Sequence, residues 1–143
     1  PEVTGEQFDK LINVNLRAPF FLAKTFAAHL AGGSIINIVD IYAEKPLKDF
    51  SAYSMSKAGL AMMTRSLAQE LAPDVRVNGI SPGAILWPDG SEFANAAAEN
   101  VLAEIPAGDL GDPTDIANTA LFLVDRARYV TGQIISVDGG SSI

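Results

Sequence analysis

Apolar residues recur at helical spacing from the start of the chain: Phe8, Leu11, Ile12, Leu22, Phe26 and Leu30 follow a 3.6-residue repeat. Thr4, three residues before Gln7, fits a capping box, so the pattern predicts a long first helix from 4 to about 31, stopped by Gly32-Gly33. The period then changes. Ser34-Ile35-Ile36-Asn37-Ile38-Val39 is a short, mostly apolar β-branched run of the kind buried in a parallel sheet, with Asp40 at its carboxyl end. After a loop containing Pro46, residues 52–72 carry Ala, Leu, Met, Lys, Gln and Glu without proline, which predicts a second long helix closed by Pro73.

The run 75–80 predicts a second strand, broken by Pro82-Gly83, and the alanine-rich stretch 92–104 predicts a helix. Asp112-Pro113 is an N-cap and first-turn pair that opens a further helix to about 124. A last strand over 133–137 ends at Asp138-Gly139-Gly140, where glycine serves the backbone. Strands alternating with long helices define an α/β fold, a doubly wound parallel sheet with helices on both faces. No repeat or linker interrupts residues 1–143, which read as one domain or one piece of one.

Composition narrows the function. With 48% hydrophobic residues the chain can build a core, which excludes disorder over most of its length. Seventeen acidic against ten basic residues give a net charge of −7 and no basic patch, which argues against nucleic acid or anionic lipid as a partner. No apolar run approaches the roughly 20 residues of a membrane span and no signal peptide opens the chain, so a cytoplasmic protein is expected. The absence of cysteine and the single histidine exclude thiolate catalysis, disulfide frameworks and Cys/His zinc sites; no metal is expected. His29, near a helix C-terminus, reads as a charge partner of the dipole.

Tyr53 and Lys57 stand at i, i+4, on one face of the second long helix. An ammonium near a phenol favours phenolate, so such a pair suits acid catalysis near neutral pH, although Tyr-x-x-x-Lys alone arises by composition roughly one time in ten and is weak evidence by itself. Asp40 and the Tyr53 helix both follow the first strand directly, and ligands of doubly wound sheets sit beyond the carboxyl ends of strands. Asn15 lies on the apolar face of the first helix, where its buried amide needs partners, either structural or functional.

Together, Asn15 in Asn13-Val14-Asn15-Leu16, the strand 34–39, Tyr53-Ser54-Met55-Ser56-Lys57, the run 76–83 and the run 130–140 resemble the short-chain dehydrogenase/reductase family in order and spacing. The resemblance implies that Tyr53 is the catalytic acid, that Lys57 depresses its pKa and binds the nicotinamide ribose, and that Asn15 holds a relay water. It also implies that Pro82 and Gly83 pack against the nicotinamide. The family usually has serine 13 residues before the tyrosine; here that position is Asp40. A carboxylate only accepts hydrogen bonds, so it pairs poorly with a carbonyl oxygen and well with N–H groups. With Pro46 and the run 82–88, Asp40 resembles the pteridine reductase branch.

That branch implies NADPH-dependent reduction of a pterin or dihydropterin, with Tyr53, aided by Lys57 and Asp40, supplying a proton to the ring nitrogen. Tyr42 and Trp87 are further candidates to face this substrate, Trp87 equally as a loop anchor. One rival is a 3-oxoacyl thioester reductase or other carbonyl or alcohol oxidoreductase of the same family, against which Asp40 argues. Another is a non-catalytic dehydrogenase-like binding protein, a class that often loses the tyrosine or lysine, both intact here.

The resemblance reaches only the C-terminal part of the family fold. No glycine-rich dinucleotide loop occurs, and three strands stand where six or seven are expected, so about 100 residues, at roughly 30 per βα unit, would precede Pro1. An N-terminal remainder of the same protein is therefore an expected partner, and the 143 residues alone are not expected to be active. A homotetramer is implied as well, with the two long helices at one interface, where Ala58, Gly59 and Ala61 would allow close helix approach.

Overall fold

The structure is a computed structural model that describes residues 3–85 and 100–143. The first helical run is continuous but not uniform. Helix α1 (Gly5–Ile12) is closed at its start by the capping box: the Gln7 N–H donates to Thr4 Oγ1 and the Thr4 N–H to Gln7 Oε1. A π-helical turn, Asn13–Arg17, then leads into α2 (Ala18–Phe26) and a final tight turn to His29. Proline inside a helix lacks a donor and crowds the carbonyl four residues back, and the widened turn just before Pro19 accommodates both. The sequence pattern predicts the length of this helix, and the π turn is the structure's addition.

Strand β1 (Ser34–Ile38) passes through a tight turn (Ile41–Ala43) into α3 (Ser51–Glu70), and β2 (Arg76–Pro82) follows. Helix α4 (Pro113–Leu121) starts on the Asp112 cap and ends in a second π turn, Phe122–Arg126, before β3 (Ile134–Val137). Strand β2 runs through Pro82 rather than breaking before it, because the proline falls at the last position of the ladder, opposite Val137. The helix predicted over 92–104 lies largely outside the described residues.

All pairings are parallel, in the order β1-β2-β3, with Ser34 opposite Arg76 and Gly79 opposite Ile134. Alternation along each strand sends residues to two helical layers. One face packs Val77, Val39 and Ile35 against α2 and α3, whose Ala23, Leu60, Met63 and Leu67 complete the cluster. The other face packs Ile80, Ile36 and Ile135 against α4 and its π turn, through Ile116, Ala120 and Leu123. Arg76 ties that turn down, donating to the carbonyls of Leu123, Val124 and Ala127 at 2.6–3.0 Å.

The small residues of α3 serve this packing. A Cβ on Gly59 would lie 2.8 Å from Leu16 Cδ2, and Ala61 is buried in the core cluster. The close approach at Gly59 is to the first helix of the same chain; of the three, Ala58 alone is exposed.

Candidate active site

The carboxyl ends of β1 and β2 open toward the N-terminal half of α3, and the polar residues gather there. Asp40 leaves β1 in an extended conformation and caps the turn that follows: its Oδ1 accepts the Tyr42 N–H at 2.9 Å. Its Oδ2 accepts the Tyr53 hydroxyl at 2.5 Å. One carboxylate thus fixes both the start of the loop and the direction of the phenol. A hydrogen bond this short between a phenol and a carboxylate is of the strong, charge-assisted kind.

Lys57, one turn further along α3, lies with its Nζ 5.8 Å from the centroid of the Tyr53 ring and donates to the carbonyls of Ile38 and Val39, each at 3.1 Å. Those carbonyls end β1, so the ammonium is held by backbone rather than by the phenol oxygen. An ammonium has three protons, and two are used among the described residues.

The electrostatics differ from the expectation of a phenol depressed by its lysine. Burial, then the hydrogen bond to Asp40, then the charges of Asp40 and Tyr42 hold the Tyr53 phenol well above its ordinary range. Burial pushes the Lys57 ammonium down, with Asp40 opposing. Burial is the first cause for both groups; the carboxylate on the phenol adds to it by favouring the protonated form, and the lysine spends its donors on carbonyls. In this arrangement the Tyr53 phenol holds its proton.

Asn15 sits in the π turn of the first helix, half-buried, and its Nδ2 donates to Ser56 Oγ at 3.0 Å. Ser56 Oγ in turn donates to the Tyr53 carbonyl at 2.7 Å and is fully buried. The structure therefore ties Asn15 to α3 through Ser56, between Tyr53 and Lys57. Ser56 is a residue that sequence reasoning passed over, though its place in the Tyr-to-Lys turn could have flagged it as facing the first helix.

Pro82 and Gly83 close β2 beside the same opening. The Gly83 N–H donates to the Val137 carbonyl at 3.0 Å, and a Cβ there would lie 2.7 Å from the Asp138 Cα, so only glycine lets the two strand ends meet. Tyr42 is half-buried, joined to Asp40 through its backbone. Trp87 lies outside the described residues.

A parallel sheet flanked by helices on both faces, with a carboxylate at its first strand end bonded to the tyrosine of a Tyr-x-x-x-Lys helix, is a doubly wound α/β fold with its polar site at the strand ends. The comparisons with known proteins carry this further. A family model described as enoyl-(acyl carrier protein) reductase matches residues 1–142. The 3-oxoacyl-(acyl-carrier-protein) reductase FabG of Thermotoga maritima is 37% identical over 140 residues, which cover 94% of this chain and 57% of that protein. A short-chain dehydrogenase/reductase of Brucella melitensis described as a glucose/ribitol dehydrogenase superposes with a TM-score of 0.91 at 33% identity, over 99% of this chain and 59% of its own. A blue fluorescent protein from a metagenomic library, crystallised with NADPH, gives 0.89 at 32% identity over 99% and 59%.

The chain belongs to the short-chain dehydrogenase/reductase family. It spans 57% of the length of its Thermotoga relative and 59% of each of the two structural ones.

Proposed function

We propose that the protein is an NADPH-dependent oxidoreductase that reduces a C=N bond of a pterin or dihydropterin, with this chain supplying the proton-delivery half of the site. The observation that carries the reading is the Asp40–Tyr53 hydrogen bond, at a position where the family usually has serine. A carboxylate there favours a nitrogen heterocycle bearing N–H groups over a ketone.

The residues present fit the nicotinamide end of the cofactor. Lys57 has one donor more than the two acceptors it uses among the described residues, and Gly83 lets the ends of β2 and β3 meet. NADPH, when bound, supplies hydride to the ring carbon. Tyr53 then turns its O–H from Asp40 to the ring nitrogen and gives up its proton as the electron pair of the C=N bond moves there. Charge develops on that nitrogen only in the transition state, so a donor aimed at it acts selectively on the barrier. Asp40 holds the phenol in position and keeps it protonated. Ser56 and Asn15 lock the turn of α3 that carries Tyr53 and Lys57 to the first helix. Tyr42 and Trp87 are the proposed further contacts of the pterin.

Most of the dinucleotide site belongs, in this reading, to an N-terminal remainder of the same protein, and the complete enzyme is a homotetramer. Exposed apolar residues support assembly: Val14 and Phe21 on the first helix and Met55 and Met62 on α3, each pair at i, i+7, are all more than half exposed.

A 3-oxoacyl thioester reductase is the second reading, favoured by the FabG relative. Turnover separates the two. The protein expressed from its complete reading frame is expected to oxidise NADPH with dihydrobiopterin; oxidation with acetoacetyl thioester and none with dihydrobiopterin overturns the pterin assignment.

A further inference from the structure

The motif Asp138-Gly139-Gly140, at the end of β3, opens a turn built on one side chain. Asp138 Oδ1 accepts the Gly140 N–H and Oδ2 the Ser142 N–H, each at 3.0 Å. The Asp138 carbonyl accepts the Ser141 N–H at 3.1 Å and the Ser141 hydroxyl at 2.7 Å. Gly139 and Gly140 take φ of 60° and 91°, the left-handed region that glycine enters without steric cost. Neighbouring segments pin the turn on two sides. The Ala107 N–H donates to the Gly139 carbonyl at 2.9 Å, and a Cβ on Gly139 would lie 2.6 Å from Ile105 Cγ2. On the other side Gly83 meets the Asp138 backbone.

The candidate site reaches this turn through Lys45. Loop 40–50 runs from the end of β1 to α3 and carries Asp40 at its start. Inside it, the N–H groups of Ala43, Glu44 and Lys45 bond back to Asp40 and Ile41. Outward, Asp40 bonds Tyr53, Glu44 bonds Arg65 and Leu47 bonds Ser54, all on α3. Among the described residues, the loop's one hydrogen bond to any other element runs from Lys45 Nζ to the Ser141 carbonyl, at 3.3 Å. An exposed lysine loses side-chain entropy to hold one geometry, so this contact adds little net stability and its use is position. Position matters here, because Asp40 directs the Tyr53 hydroxyl, and a misplacement of about 1 Å at a reacting group costs up to about 10²-fold in rate.

We propose that the turn 138–142 braces the candidate active site, with Asp138 and Lys45 as positioning residues. The Asp138 carboxylate sets the place of the Ser141 carbonyl, Lys45 holds loop 40–50 to that carbonyl, and Asp40 is thereby kept on the Tyr53 hydroxyl. The brace ties the loop after β1 to the turn after β3, across the end of β2 that lies between them. The proposal rests on the reading of Asp40 and Tyr53 as the proton-delivery pair.

The test uses the complete protein with NADPH, as wild type, Lys45→Met, Asp138→Ala, Asp138→Asn and the double variant Lys45→Met/Asp138→Ala. Rates are read well below the unfolding midpoint of every variant, so that the folded fraction does not enter. Lys45→Met is expected to lower kcat, by up to about 10²-fold. Asp138→Ala is expected to lower it at least as far, and Asp138→Asn, which keeps one of the two acceptor oxygens, by less. Both residues act along one path, so the double variant should turn over no more slowly than Asp138→Ala alone, whereas independent losses multiply. Wild-type kcat in Lys45→Met overturns the proposal, as do losses that multiply or a loss confined to KM. Should Asp138→Ala not fold, the cycle is completed with Asp138→Asn. The rate is read on whichever substrate turns over, thioester included, so failure of the pterin assignment is distinguishable. Without turnover a crystal structure of Lys45→Met decides: Asp40 is expected off the Tyr53 hydroxyl, and an Asp40–Tyr53 hydrogen bond that stays in place overturns the proposal.

Discussion

The two faces of the sheet are built to different degrees. Among the described residues, nine buried ones form one cluster toward the first helix and α3, from Ala23 and Val39 to Leu67 and Val77, and three do toward α4: Ile80, Leu123 and Ala127. Ile38, whose side chain leaves β1 on the α4 side, is 47% exposed, and Leu121, Phe122 and Val124 stand open on the outside of α4 and its π turn. The polar residues of the candidate site all attach to the finished face or to the loop at its end. A rigid layer behind the Tyr53–Lys57 pair fixes its geometry, while the outer surfaces of both helical layers, from Phe21 and Leu22 to Leu121 and Phe122, keep apolar residues for further structure to cover.

The largest effect expected on the finished face is chemical. Tyr53→Phe removes the proposed proton donor and leaves the ring and its packing. In the complete protein it is expected to lower kcat about 10²–10⁴-fold, the usual range for general acid catalysis, with the circular dichroism spectrum unchanged. A variant that keeps wild-type turnover would separate the chemistry from this face altogether.

Packing comes next. Leu67 is fully buried between α3 and the sheet, and Leu67→Ala is expected to cost about 2–5 kcal/mol in denaturant unfolding. Leu121 is 63% exposed, and Leu121→Ala is expected to change stability by about 0.5 kcal/mol or less. Equal losses would mean that the α4 face is as complete as the other, with Leu121 covered in the assembled protein.

Most of this was legible in the chain because local signals and burial agree. The capping box at Thr4, the Asp112-Pro113 start and the β-branched runs each mark an element that the structure contains. The π turn was not legible: Pro19 announces a disturbance in the helix but not how the backbone absorbs it. Gly59 and Ala61 were read as a partner surface because periodicity shows which residues share a face, not what that face meets; Leu16 of the first helix fills the space. At the site, spacing put Tyr53 and Lys57 together, yet the direction of the phenol depends on Asp40, 13 residues earlier. Interactions between elements, such as Asn15 with Ser56, depend on side-chain direction that the sequence pattern does not carry.

That contact supplies a smaller test. Ser56→Ala leaves the Asn15 amide without its side-chain acceptor in a half-buried place and is expected to cost about 1–3 kcal/mol. Combined with Asn15→Ala it should give a coupling energy of about 0.5–3 kcal/mol in a double-mutant cycle of unfolding free energies. Additive losses would mean that the first helix and α3 are joined by apolar packing alone.

The last effect is a displacement in pH rather than a loss. Burial against the finished face raises the Tyr53 pKa and lowers that of Lys57, so as pH rises the lysine gives up its proton earlier than an exposed lysine would, while the phenol keeps its own longer. The alkaline limb of the reductive pH profile should therefore report Lys57. Asp40 favours the ammonium and opposes burial there. In Asp40→Asn that support is gone, so the limb attributed to Lys57 should move to lower pH, whatever the variant's residual rate. The same substitution removes two of the influences that raise Tyr53, which pushes its titration downward as well. Both shifts have the same sign, so steady-state rates on wild type and Asp40→Asn across the alkaline range suffice. An alkaline limb that moves upward or stays fixed would mean that solvent, not the buried face, sets the protonation of the pair.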